Sequence, residues 1–96
     1  IKIMPLNIEF ESNLWKLSGS ITYDEIQSVI EKTKNFNWSD SVQIDLSQVK
    51  HVDTSALSLI FEFKRNAKRN NQIVTINTPP KNLLKLAKLY GVEDLI

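Results

Sequence analysis

The residues of this chain that can do chemistry gather in one stretch, Ile44-Asp45-Leu46-Ser47 followed by Val52-Asp53-Thr54-Ser55-Ala56-Leu57. A short apolar run, a polar connection and then a helical pattern put Asp53, Thr54 and Ser55 at the entrance to a helix. A carboxylate there accepts hydrogen bonds from the first free amides, which makes Asp53 the expected helix cap. Thr54 and Ser55 then present hydroxyls beside it. A phosphate on Thr54 would lie at the positive end of the helix dipole, so modification is compatible with the helix. The residues alone leave two readings open, capping only or a modifiable binding loop. His51 stands close enough in sequence to Asp53 for an imidazole–carboxylate pair, although a lone loop histidine is more often solvated.

Outside that stretch there is little catalytic equipment. The chain has 96 residues, one His, no Cys and two Gly. Without Cys there is no disulfide, no thiolate metal site and no cysteine nucleophile, and a single His gives no histidine cluster for a metal. Two glycines, Gly19 and Gly91, cannot build a glycine-rich phosphate loop. Acyl or phosphoryl transfer needs a base, a nucleophile and charge stabilisers converging in one cleft, and here only His51, Asp53 and Thr54 are at hand. The expectation is a binding protein, not an enzyme, with no cofactor and no metal. No apolar run approaches the roughly 20 residues that span a bilayer, and nothing reads as a signal peptide. A soluble, cytoplasmic protein without membrane insertion is expected.

The net charge of +1 is unevenly placed. Residues 1–48 hold four lysines against seven acids, while residues 49–96 hold eight basic residues against four acids. A nucleic-acid partner is not expected from so modest an excess. Lys64, Arg65, Lys68 and Arg69 suit the solvated last turns of a helix, where cations complement the dipole. Lys81, Lys85 and Lys88 form a helical stripe that can face anionic lipid or, as expected for this chain, solvent.

The elements that must position these residues follow from periodicity. Ile3 to Glu11 alternates as Leu6, Ile8 and Phe10, interrupted early by Pro5, and pairs across Glu11-Ser12-Asn13 with Leu14, Trp15 and Leu17 as a hairpin. Thr22 and Glu25 form a capping-box pattern before Ile26, Val29, Ile30 and Thr33, whose helix ends near Phe36. Val42 to Leu46 reads as a buried strand, and a polar stretch holding Val49 and Val52 leads on to Asp53. Over Thr54 to Lys68, Ala56, Leu59, Ile60, Phe63 and Ala67 share one stripe, with Leu57 and Phe61 to one side. Gln72 to Asn77 is a strand, Pro79-Pro80 breaks it, and a last helix turns Leu83, Leu84, Ala87 and Tyr90 inward before the C-cap Gly91. Trp15 and Trp38 read as core or rim packing. The order β-β-α-β-α-β-α predicts a single α/β domain over residues 1–96. Its sheet is four-stranded and mixed, with an opening β-hairpin, parallel pairing in the second half and helices covering the sheet.

The strand Gln43-Ile44-Asp45-Leu46-Ser47 and the run Val52-Asp53-Thr54-Ser55-Ala56-Leu57 resemble the signature of STAS domains (sulfate transporter and anti-sigma factor antagonist). In that family such a strand leads to Asp-Ser/Thr-Ser-Gly-Leu at a helix start; Ala56 here replaces the usual Gly. The element order matches across nearly the whole chain. Leu86-Ala87-Lys88-Leu89-Tyr90-Gly91-Val92, with the Asp53-Thr54 loop, is similar to the family's MlaB branch. Those are stand-alone STAS proteins bound to the ATPase of an ABC transporter that moves phospholipids between Gram-negative membranes. The resemblance implies a non-catalytic cytoplasmic subunit that binds and stabilises an MlaF-like ATPase, peripheral to the inner membrane and serving outer-membrane lipid asymmetry. It also implies a partner surface of Thr54, Ser55, Leu57, Ser58, Phe61, Glu62 and Arg65, in which Leu57 and Phe61 would supply an apolar anchor. The alternative it implies is an anti-sigma factor antagonist whose partner is an anti-sigma factor kinase, switched by phosphorylation at Thr54.

Overall fold

A computed structural model describes residues 6–34 and 41–96. The opening residues of the first expected strand, the helix end near Phe36 and Trp38 lie outside the described residues. The elements are β1 (Asn7–Glu11), β2 (Leu14–Ile21), α1 (Tyr23–Lys34), β3 (Ser41–Val52), α2 (Ser55–Arg69), β4 (Ile73–Asn77) and α3 (Lys81–Leu89), with a short 3-10 turn at Glu93–Leu95. They form one four-stranded sheet in the order β1-β2-β3-β4. β1 and β2 are antiparallel, joined through Ser12 at φ 56°, the positive value a two-residue hairpin turn calls for. β3 runs parallel to both β2 and β4 because α1 and α2 are the crossovers. The predicted mixed α/β architecture is the observed one.

β3 is longer than its sequence pattern suggests. The alternation of apolar residues closes the strand at Leu46, yet pairing with β2 continues to Val52. Two register shifts explain the difference. Between the pairs Lys16↔Asp45 and Ser18↔Gln48, and again between Gly19↔Val49 and Ser20↔His51, β3 carries one extra residue. Each bulge breaks the period-two alternation that marks a strand, so Ser47 and Gln48 are both exposed before Val49 returns to the core. The added length carries Val52 alongside Ile21, the last residue of β2.

The core lies between one face of the sheet and the helices. Trp15, Leu17 and Ile21 of β2 and Val42, Ile44, Leu46 and Val49 of β3 meet Ala56, Leu59, Ile60, Phe63 and Ala67 of α2. Trp15 sits edge-on between Phe10 (5.2 Å) and Phe63 (5.7 Å), linking the edge strand to the helical layer. The alternate sheet positions are polar: Glu9, Lys16, Asp45 and Asn77 form one cross-strand row, and Asn77 Nδ2 donates to Gln43 Oε1 at 2.9 Å.

Both α2 and α3 end in paired bonds that satisfy their last carbonyls. Gln72 N–H donates to the Ala67 carbonyl (2.8 Å) past Asn71 at φ 55°, and Val92 N–H donates to the Ala87 carbonyl (2.8 Å) past Gly91 at φ 69°. This tight stop corrects the inward face expected for the last helix. Only Leu83 and Ala87 of α3 are buried; Leu84 is 42% exposed, and Tyr90, at the C-cap, is 58% exposed. The covered line is one i, i+4 row, and the helix ends before Tyr90 can rejoin it. A Cβ at Gly91 would meet nothing within 4 Å, so Gly91→Ala adds backbone strain alone. A loss of about 1 kcal/mol is expected. A thermal melt should show it as a drop of about 4–8 °C, with Gly91→Asn falling less.

Candidate functional site

The end of β3 hands the chain to α2 through Asp53 and Thr54, and three hydrogen bonds fix that corner. Asp53 N–H donates to the Ile21 carbonyl at 3.2 Å. Asp53 Oδ1 accepts from Ser55 N–H at 2.8 Å, and Oδ2 accepts from Tyr23 N–H at 3.0 Å. One carboxylate therefore serves the first amides of both α1 and α2, where the positive ends of two helix dipoles converge. The Thr22 capping-box pattern marks the start of α1 locally, but the bond that Tyr23 N–H donates to Asp53 is not legible in the sequence. No local pattern signals it, because it depends on β2 and β3 ending side by side.

Asp53→Ala removes both bonds and leaves two helix-start amides without their acceptor. A stability loss of about 1–3 kcal/mol is expected, read as a lower denaturant midpoint. Faster amide exchange at Tyr23 and Ser55 should accompany it, and Asp53→Asn should lose less.

Thr54 occupies the N-cap position of α2 with helical backbone angles (φ −62°, ψ −21°) and makes no side-chain cap bond. It is exposed, so its hydroxyl is not engaged in holding the helix. Ser55 is half-buried, Ser58 exposed, Phe61 half-buried, Glu62 half-buried and Arg65 exposed. Glu62 accepts from Arg65 at 2.8 Å and pairs with Arg69 at 3.5 Å. Such exposed pairs contribute roughly 0–1 kcal/mol each, so a partner can exchange them at little cost.

Leu57 is not part of this surface. It is 5% exposed and belongs to the core, which corrects its expected role as an anchor. α2 packs against α1, α3 and β4, so its buried arc is wider than one stripe. Phe61, also off that stripe, keeps part of its ring at the surface while packing against the core. Elsewhere on α2, away from Phe61, α1 and α2 bound a groove of about 390 Å³ lined by Ile30, Thr33, Glu62, Phe63, Asn66, Arg69 and Asn70.

His51 is exposed on β3 opposite Ser20, while both oxygens of Asp53 are taken by amides. The structure does not bring an imidazole–carboxylate pair together. Among the described residues no group of three His, Cys, Asp or Glu side chains is placed to hold a metal. No helix among them is long and apolar enough to cross a membrane. What the corner offers is an exposed hydroxyl on a rigid helix start, rimmed by small polar residues and one half-exposed aromatic ring. That suits recognition of another protein.

Comparison with known proteins bears on the same elements. The chain is 36% identical over 55 residues to the intermembrane phospholipid transport system binding protein MlaB of Haemophilus influenzae. That match takes in 57% of this chain and spans only 52%, about half, of the relative's length. In fold, the chain resembles the anti-sigma factor antagonist SpoIIAA in its unphosphorylated form, with a TM-score of 0.75 and 12% identity over 93% of this chain and 83% of that one. It also resembles the STAS domain of an anti-sigma factor antagonist from Rhodobacter sphaeroides, with a TM-score of 0.54 and 17% identity over 78% and 86% of the two chains. A family model described as the MlaB STAS domain matches residues 5–96, across all the described elements, and the chain belongs to that family.

Proposed function

We propose that this chain is a non-catalytic accessory subunit of a phospholipid-transport ABC system, binding the system's cytoplasmic ATPase and stabilising it. The observation that carries this reading is the exposed entrance to α2 in a chain of the MlaB family: Thr54 presents a hydroxyl that the fold does not use. The contact surface comprises Thr54, Ser55, Ser58, Phe61, Glu62 and Arg65, and Leu57 supports it from beneath. Nucleotide hydrolysis stays with the partner, since two glycines cannot form a phosphate-binding loop here. The subunit is then held at the inner membrane through that ATPase. Co-expression with the ATPase of the same transport system tests this. The two should co-elute in fixed ratio, with less ATPase aggregating than when it is made alone; separate elution contradicts the reading.

A second reading, an anti-sigma factor antagonist, is supported by the same exposed Thr54 and by the fold shared with SpoIIAA. There a phosphate on Thr54 releases the partner by repulsion and desolvation. Incubation with an anti-sigma factor kinase and ATP separates the two, because only this reading expects Thr54 to gain one phosphate by mass spectrometry.

A further inference from the structure

α3 carries Lys81, Lys85 and Lys88 and no acidic residue. All three are exposed, and among the described residues none of them is in an ion pair. At about 100° per residue the three ammonium groups lie along the middle of the outer face, opposite buried Leu83 and Ala87. Leu84, 42% exposed, flanks them on one side and Leu89, 74% exposed, on the other. Tyr90 and Leu95 are exposed at the end of the helix and in the turn after it, so most of the large exposed hydrophobic side chains of the described residues collect on α3 and that turn. At that end Glu93 and Asp94 are exposed acids. The face is a cationic ridge with two apolar shoulders and an acidic end.

We propose that the outer face of α3 is a docking surface for an acidic, amphipathic segment of another protein, carrying carboxylates at helical spacing with leucine-like residues beside them. Charge complementarity selects this occupant. Three unpaired cations at i, i+4 and i+7 match carboxylates spaced in the same way on a second helix. Leu84 and Leu89 supply the apolar contacts that a purely electrostatic patch lacks. An anionic bilayer fits less well. A helix that lies in a membrane interface centres its apolar residues on the lipid and keeps cations at the edges, the reverse of this face. Glu93 and Asp94 are repelled by anionic headgroups, and three lysines alone hold a protein to such a surface only weakly. The surface lies on a different helix from the Thr54 corner, and its assignment holds whichever partner that corner binds.

The test uses the whole chain and a labelled synthetic helical peptide with Glu at i, i+4 and i+7, leucines on both shoulders and a Lys beyond its last turn. Fluorescence anisotropy should report saturable binding that weakens about tenfold as salt rises from about 50 to about 500 mM. K81E/K85E/K88E should lose more than about tenfold in affinity, and K81Q/K85Q/K88Q several-fold with little remaining salt dependence. Leu84→Ala with Leu89→Ala should also weaken binding several-fold. Every substituted side chain is exposed, so thermal melts should stay near wild type. Equal binding by the Glu variant, or equal binding of a scrambled peptide of the same composition, overturns the proposal. So does lysine-dependent co-sedimentation with phosphatidylglycerol–phosphatidylethanolamine vesicles in the absence of peptide binding, which would assign this face to the membrane instead.

Discussion

Thr54→Glu is expected to leave this domain folded and to weaken its proposed complex with a transporter ATPase by at least about 30-fold. The two halves of that expectation come from the same geometry. Thr54 is exposed and its side chain makes no cap bond, so the helix does not depend on it. A carboxylate at a helix N-terminus is favoured by the dipole by a few tenths of a kcal/mol, which offsets repulsion from Asp53 beside it. In a packed interface the balance reverses. An uncompensated charge removed from water costs about 2–5 kcal/mol, and each 1.4 kcal/mol is a factor of ten in affinity. Thr54→Ser, which keeps the hydroxyl, should stay within a few-fold of wild type. A melt of each variant, run beside a titration with the ATPase, separates loss of binding from loss of fold.

Trp15→Ala should destabilise this domain by about 3–5 kcal/mol, more than the loss of the Asp53 carboxylate or of Gly91 does. Trp15 is 3% exposed and contacts Phe10 and Phe63 edge-on. Its removal opens a cavity where the hairpin meets α2, in a domain whose total stability is of the order of 5–15 kcal/mol. Denaturant titration should give a midpoint far below wild type, with a partly unfolded baseline at about 37 °C. A double-mutant cycle with Phe63→Leu should return a coupling of about 0.5–1.5 kcal/mol from the ring contact. An unchanged midpoint would place Trp15 outside the core.

Much of this architecture is legible in the sequence because its determinants are local. Ala56, Leu59, Ile60, Phe63 and Ala67 mark the buried side of α2 at helical spacing, and all five are in the core. Gly91 marks the end of α3 because only a residue at ease with positive φ closes that helix. What the sequence does not reveal is set by contacts between distant segments. The bulges in β3 interrupt its alternation, so Ser47 to Val52 reads as a loop although it pairs with β2. Leu57 lies off the main stripe and is nonetheless buried, in a helix that packs against α1, α3 and β4. Leu84 has the right spacing for burial but is 42% exposed. The bond that Tyr23 N–H donates to Asp53 spans 30 residues and exists because two strand ends are neighbours. At the candidate site the residue types are readable, while their exposure is not: Thr54 and Ser58 face solvent and Leu57 does not.

On the proposed reading, the Thr54 corner of α2 binds a transporter ATPase. The most direct measurement is affinity purification of the tagged chain from its native cells, wild type and Thr54→Glu side by side, with the recovered proteins quantified by mass spectrometry. The expected result is one ABC ATPase in stoichiometric amount with the wild-type chain and its loss with Thr54→Glu. An ATPase retained undiminished by Thr54→Glu, or an anti-sigma factor kinase recovered in its place, would contradict it.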